Sequence, residues 1–125
     1  MKAETRKWIG KAEGDWRVAS REVKSRRPVW HVVCFLAQQS AEKYLKALLD
    51  ENGVPFRKTH DLVLLAETAG PIMPDLQLLS PQLARLTTFA VAARYPGTDA
   101  DSRAGKEAVS TAGVERARVR SRLRA

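Results

Sequence analysis

Apolar residues recur at helical spacing along most of this chain. Trp8, Ala12, Trp16, Ala19 and Val23 fall three or four positions apart and form one stripe, with charged residues on the remaining faces, which predicts a helix over 3–25. Gly14 weakens that helix by about 1 kcal/mol relative to Ala. The string SRRP at 25–28 ends it, because a residue before proline is pushed out of the helical region. Pro28 suits the first turn of a second helix that runs to about Asn52, with Gly53 as its left-handed cap. Its stripe is Trp30, Val33, Cys34, Ala37, Ala41, Tyr44, Leu45 and Leu48, while Val32, Phe35 and Leu36 lie outside it. The first half of this helix is therefore apolar nearly all round, as expected of the central element of a bundle.

After a loop containing Pro55, THDLVLLAETAG (59–70) reads as a short helix, with Thr59 or His60 near its cap and Asp61 in its first turn. Gly70, Pro71 and Pro74 end it. Leu79, Leu83, Leu86, Ala90 and Ala93 repeat at alternating steps of four and three, a fourth helix with Ser80–Pro81 at its start. Residues 94–106 (RYPGTDADSRAGK) read as a loop. The last helix is placed over 107–124, where Ala108, Ala112, Val119 and Leu123 share a face that Glu115 interrupts. The stretch ERARVRSRLR alternates like a strand but has no second strand to pair with. The expectation is all-α: an up-and-down bundle of four to five helices forming a single domain over 1–125, its motif-bearing part at about 8–120. Trp8, Trp16, Cys34, Ala41, Leu45, Leu48, Leu86 and Phe89 are expected to be largely buried.

Composition narrows the function. The 125 residues are 44% hydrophobic, enough for a packed core and too many for a disordered chain. No apolar run reaches transmembrane length. The opening MKAETRKWIGKAEGDW lacks the apolar core and cleavage site of a signal peptide, so the expected location is cytoplasmic, with no membrane partner. The net charge of +8 is uneven: 1–27 carry +5, 28–100 carry −1 and 101–125 carry +4. Two basic ends around a neutral middle are read either as solvated helix faces or as a basic patch for RNA or an acidic partner. The patch reading gains if the two ends lie side by side.

Catalytic constellations are thin. No phosphate-binding loop, dinucleotide fingerprint, H-E-x-x-H or C-x-x-C occurs. One cysteine and two histidines cannot build a zinc site, and no metal or other cofactor is expected. Cys34, between Val33 and Phe35, reads as a small buried hydrophobe. His60, in K-T-H-D at a helix start, reads as a structural hydrogen-bonding residue or, with a substrate nearby, a general base. His31, in the first turn of the central helix, reads as partly exposed and structural.

Two strings go further. CFLAQQSAEKYLKALLDENG (34–53) followed by RKTHDLVLLA (57–66) resembles the HEPN domain family (higher eukaryotes and prokaryotes nucleotide-binding), and A-x-x-D-W at 12–16 and A-R-Y-P at 93–96 fall where members carry similar residues. The resemblance implies a bundle of four or five helices, a homodimer, and pairing with a minimal nucleotidyltransferase (MNT) in a toxin–antitoxin-like couple. Active members are metal-independent endoribonucleases with R-x(4–6)-H on a late helix, where Arg stabilises phosphate charge and His transfers protons. Here the matching Arg is Arg94, but the residue at the histidine's place is Asp99, and no histidine follows His60. An Asp donates no proton near pH 7 unless its pKa is strongly raised. Arg26 and His31 repeat the spacing at the wrong place in the chain. The reading is therefore a dimeric nucleotidyltransferase partner with a degenerate ribonuclease motif, touching RNA or nucleotide through Arg94, Tyr95, Asp99 and His60, with no catalytic residue. Its rivals are a ribonuclease using Arg94 with Asp99 or His60, and a structural dimer with no nucleic acid contact.

Overall fold

The central helix is the one whose sequence is apolar nearly all round, and every other long helix packs on it. A computed structural model describes residues 1–97 and 100–125. Its elements are α1 (Ala3–Glu22), α2 (Trp30–Glu51), α3 (Leu62–Thr68), a 3₁₀ turn (Pro74–Leu79), α4 (Ser80–Ala92) and α5 (Ser102–Leu123), with no strand among the described residues. On α2, Val33, Cys34, Ala37, Ala41, Tyr44, Leu45, Leu48 and Leu49 are fully buried. Leu62, Leu65, Leu76, Leu83 and Leu86 close over them from α3, the 3₁₀ turn and α4.

Contacts between chain-distant residues fix the directions. Lys2 Nζ donates to the Asp50 carbonyl at 3.0 Å, and at the far end the Val29 N–H donates to Glu22 at 2.9 Å, so α1 and α2 are antiparallel. Arg94, just past α4, lies over Phe35 near the start of α2, and Arg85 of α4 meets Glu107 of α5 at 2.9 Å. Trp30 packs on Gly105 and Tyr44 on Arg120, so α5 runs parallel to α2. The four long helices alternate in direction, an up-and-down bundle, and α3 with the 3₁₀ turn fills the crossover between α2 and α4.

The last helix begins five residues earlier than its composition suggests. Asp101 accepts from the Ala104 N–H at 2.8 Å and caps it. Gly105, read as a loop signal, lies inside the helix, and glycine is needed there because the Trp30 ring leaves room for nothing larger: a Cβ would stand 2.4 Å from Trp30 Cε3. The cap of α3 is Asp61, which accepts from Val63 and Leu64 at 3.0 and 3.2 Å, rather than Thr59 or His60. The first helix stops at Glu22 and the second starts at Trp30, each a few residues inside the expected bounds.

Three expected core aromatics are only half-buried. The interior face of α1 is Ala12 and Ala19, both fully buried, and its tryptophans flank that face. Trp16 lies across Gly113 with Arg116 5.4 Å above its ring. Trp8 meets Phe56 edge-on, centroids 6.4 Å apart. Phe89 lines an open groove between α4 and α5. Cys34, Ala41, Leu45, Leu48 and Leu86 are buried as expected. Burial, and secondarily the charge of Asp101, push the Cys34 thiol up to about 11, so it is an inert packing group.

Two glutamates behave in opposite ways. Glu13 receives a two-pronged bond from Arg116 at 2.8 and 2.5 Å and one from the Tyr44 hydroxyl. The Arg116 bonds chiefly hold its carboxyl down at about 2, against the opposing pull of burial. Glu115 interrupts the apolar face of α5 in the structure as in the sequence. It is fully buried, and neither carboxyl oxygen has a hydrogen-bond partner. Burial pushes its pKa well above the usual carboxylate range.

Candidate functional site

The chain leaves α4 through a tight turn that fixes Arg94 and Tyr95. Ala93 donates to Phe89 at 3.0 Å, and Arg94 and Tyr95 donate to Val91 and Ala92 at 3.2 Å each. Pro96 cannot continue the helix, and Gly97 takes a left-handed φ of +86°, which turns the chain away. The Arg94 guanidinium sits 5.5 Å from the centre of the Phe35 ring. That cation–π contact anchors the side chain while the residue stays exposed to solvent. Among the described residues no carboxylate pairs with it. Tyr95 beside it is 63% exposed, and Val91, one turn back, 49%. Asp99 lies outside the described residues.

His60 belongs to a second cluster, built on α2. Its Nδ1 is 2.7 Å from Glu42 Oε1, and its ring is otherwise largely exposed. Glu42 is buried. Lys46 Nζ donates to its other oxygen at 2.9 Å, and Gln38 Nε2 donates both to Oε1 at 3.2 Å and to the His60 carbonyl at 2.9 Å. Burial alone raises the Glu42 pKa, but the bonds from Lys46, His60 and Gln38 outweigh it and leave the carboxyl below its ordinary value. Lys46 is itself covered, its ammonium 5.5 Å from the Trp8 ring and 5.9 Å from the Phe56 ring. The cluster anchors the loop before α3. It also leaves His60 Nε2 facing water with the opposite nitrogen fixed by a carboxylate, an arrangement able to take or give a proton.

The two clusters share one side of α2 and do not meet. Phe35 and Glu42 are seven residues apart, nearly two helical turns, so Arg94 and His60 are anchored about 10 Å apart along the axis. His31, exposed, lies one turn before Phe35 on the same stripe. Sequence reasoning missed Gln38, Glu42 and Lys46 as a network, although three polar residues at steps of four on an apolar helix are a legible signal. Among the described residues, no three His, Cys, Asp or Glu side chains gather to hold a metal ion.

The up-and-down topology sorts the basic residues by end. The last half of α1, the corner to α2, the turn after α4 and the start of α5 all sit at the same end of the bundle. Arg21, Lys24, Arg26, Arg27, Arg94, Arg103 and Lys106 gather there. The arginines late in α5 lie toward the other end and are partly spent: Arg116 and Arg120 on Glu13, Arg118 on the Asp75 carbonyl at 3.2 Å. The two basic stretches of the sequence are thus not one patch. Four of the nine cations in the first stretch and two of the seven in the second join Arg94.

With this geometry in place, the profile of the HEPN domain matches residues 5–119. The chain belongs to the HEPN domain family. Its fold is similar to the crystal structure of TT1696 from Thermus thermophilus, with a TM-score of 0.78 over 97% of this chain and 99% of that one, at 20% identity. No curated protein matches the chain. In this HEPN bundle no described helix is long and apolar enough to cross a membrane. The HEPN resemblance points to Arg94. It does not indicate what holds Arg94, because Phe35 comes from a different helix.

Proposed function

We propose that this HEPN protein is the dimeric partner of a minimal nucleotidyltransferase in a toxin–antitoxin-like couple, and that it contacts RNA or nucleotide through Arg94 with a degenerate ribonuclease motif. The observation that supports the reading is the state of Arg94: over the Phe35 ring, exposed, without a carboxylate partner among the described residues, at an end of the bundle that also carries Arg21, Lys24, Arg26, Arg27, Arg103 and Lys106. An arginine presented this way suits a phosphate oxygen pair. Tyr95 and the adjoining loop, with Asp99, complete the candidate contact. HEPN domains commonly dimerise, and Val91 and Tyr95 offer exposed apolar surface beside Arg94 for a two-fold contact.

The Glu42-oriented His60 favours a second reading, a metal-independent endoribonuclease. Its separation from Arg94 within one protomer counts against it, since acid–base catalysis needs hydrogen-bond reach to the reacting group.

The dimer is tested by sedimentation at micromolar concentration. The expected mass is twice the 13.9 kDa of one chain. A monomer at that concentration would contradict the dimeric part of the reading. The pairing predicts a minimal nucleotidyltransferase reading frame beside this gene and a joint complex on co-expression; a neighbour of another kind, or two separate species, would remove the pairing.

A further inference from the structure

We infer that a nucleic-acid strand bound at Arg94 continues across the end of the bundle to the corner between α1 and α2, where Arg21, Lys24, Arg26 and Arg27 hold its phosphates. This rests on the reading of Arg94 as a phosphate contact and adds a path and a ligand class to it. The path follows α2. Phe35, half-buried, carries Arg94, the exposed His31 lies one turn earlier on the same side of α2, and the exposed Arg27 and Arg26 precede it in the corner. Arg103 and Lys106 flank the path from the start of α5.

None of these six corner and flanking cations has an acidic partner among the described residues. Among the described residues, the acids at this end make other contacts. Glu22 accepts from Ser25 Oγ at 3.2 Å and from the Val29 N–H at 2.9 Å, Asp101 caps α5, and Glu107 holds Arg85. Uncompensated cations on several chain segments raise the local potential together. The chemistry favours a phosphate backbone over an acidic protein. A protein interface is centred on a buried apolar or aromatic cluster, and the exposed large apolar residues at the corner itself are single valines, Val18 and Val29, 38% and 42% exposed, while Val91 and Tyr95 stand at the Arg94 end of the path. Backbone contacts of this kind carry no sequence preference.

The test is fluorescence anisotropy with a labelled oligouridylate over a salt series, using the full chain. The corner variant is Arg21→Gln/Lys24→Gln/Arg26→Gln/Arg27→Gln. The control is Arg118→Gln/Arg122→Gln/Arg124→Gln at the opposite end. Helicity by circular dichroism confirms that both fold, as expected for exposed polar substitutions. The corner variant should lose about tenfold or more in affinity at low salt. Its salt slope should flatten by about 0.7 for each cation that met a phosphate. The control should bind within about twofold of wild type. If Arg94→Ala abolishes binding while the corner variant keeps wild-type affinity and slope, the path is wrong and the Arg94 reading stands. If the control loses as much as the corner variant, net charge alone drives binding and the path is again wrong. Displacement of the oligouridylate by polyglutamate at equal charge would assign the corner to an acidic protein instead. A wild type that binds no oligouridylate removes the Arg94 reading itself.

Discussion

Purified protein incubated with labelled single-stranded RNA in metal-free buffer should leave the RNA intact or cut it only slowly. Arg94 can supply charge to a phosphate in the transition state, but it stays protonated and cannot act as a base. On the HEPN resemblance, Asp99 stands where active members carry the proton-transfer histidine, and an ordinary carboxylic acid holds no proton to donate near neutral pH. His60 has a free Nε2, yet its anchor on α2 is about 10 Å from that of Arg94. A missing acid–base group costs about 10²–10⁴-fold in rate. The informative set is wild type, Arg94→Ala, Asp99→Ala, Asp99→His and His60→Ala. Robust wild-type cleavage lost in Arg94→Ala and Asp99→Ala would show Asp99 transferring the proton. Cleavage lost in His60→Ala instead would establish the Glu42–His60 pair as the acid–base group. Cleavage appearing only in Asp99→His would mark a lapsed active site.

The stability of the wild type should fall as pH rises above the ordinary carboxylate range, and Glu115→Gln should flatten that fall. The folded protein keeps Glu115 protonated to a higher pH than the unfolded chain does. The stability of the protonated form is therefore fully present below the ordinary carboxylate pKa. It is lost progressively as pH rises through the interval up to the raised value, at about 1.4 kcal/mol per pH unit. Glu13 works at the other extreme. With its pKa held at about 2, its contribution is present above the ordinary carboxylate range and lost only as pH falls toward that value. Chemical denaturation of both proteins across pH checks the Glu115 effect. Parallel profiles for wild type and Glu115→Gln would mean that the buried carboxyl has found a partner.

The fold is legible where a residue's role depends on its own helix. The stripe of α2 reads directly as core because nearly all of it is buried. Legibility fails where a distant residue decides. Gly105 looks like a loop residue until Trp30 is seen filling the space beside it. Glu42 and Lys46 look like a surface i,i+4 pair, but both are buried, and Lys46 is covered by Trp8 and Phe56, which local pattern does not bring to α2. The tryptophans of α1 read as core because they are large and periodic, whereas the residues of α1 that are fully buried are small: Thr5, Ala12 and Ala19. For the site, Arg94 and His60 are visible in the sequence but their spacing is not. Two basic ends are visible as well, and only the alternation of helix directions tells which part of each stands beside Arg94.

The central claim is that Arg94 binds phosphate. Anisotropy titration of a labelled single-stranded RNA with wild type and Arg94→Ala, at low and at near-physiological salt, measures this directly. Wild-type binding should be saturable and should weaken with salt. Arg94→Ala should lose roughly 10–100-fold at low salt, the worth of about 1.5–3 kcal/mol for hydrogen bonds to a charged group. Equal binding by the two proteins, or no binding by the wild type, would contradict it.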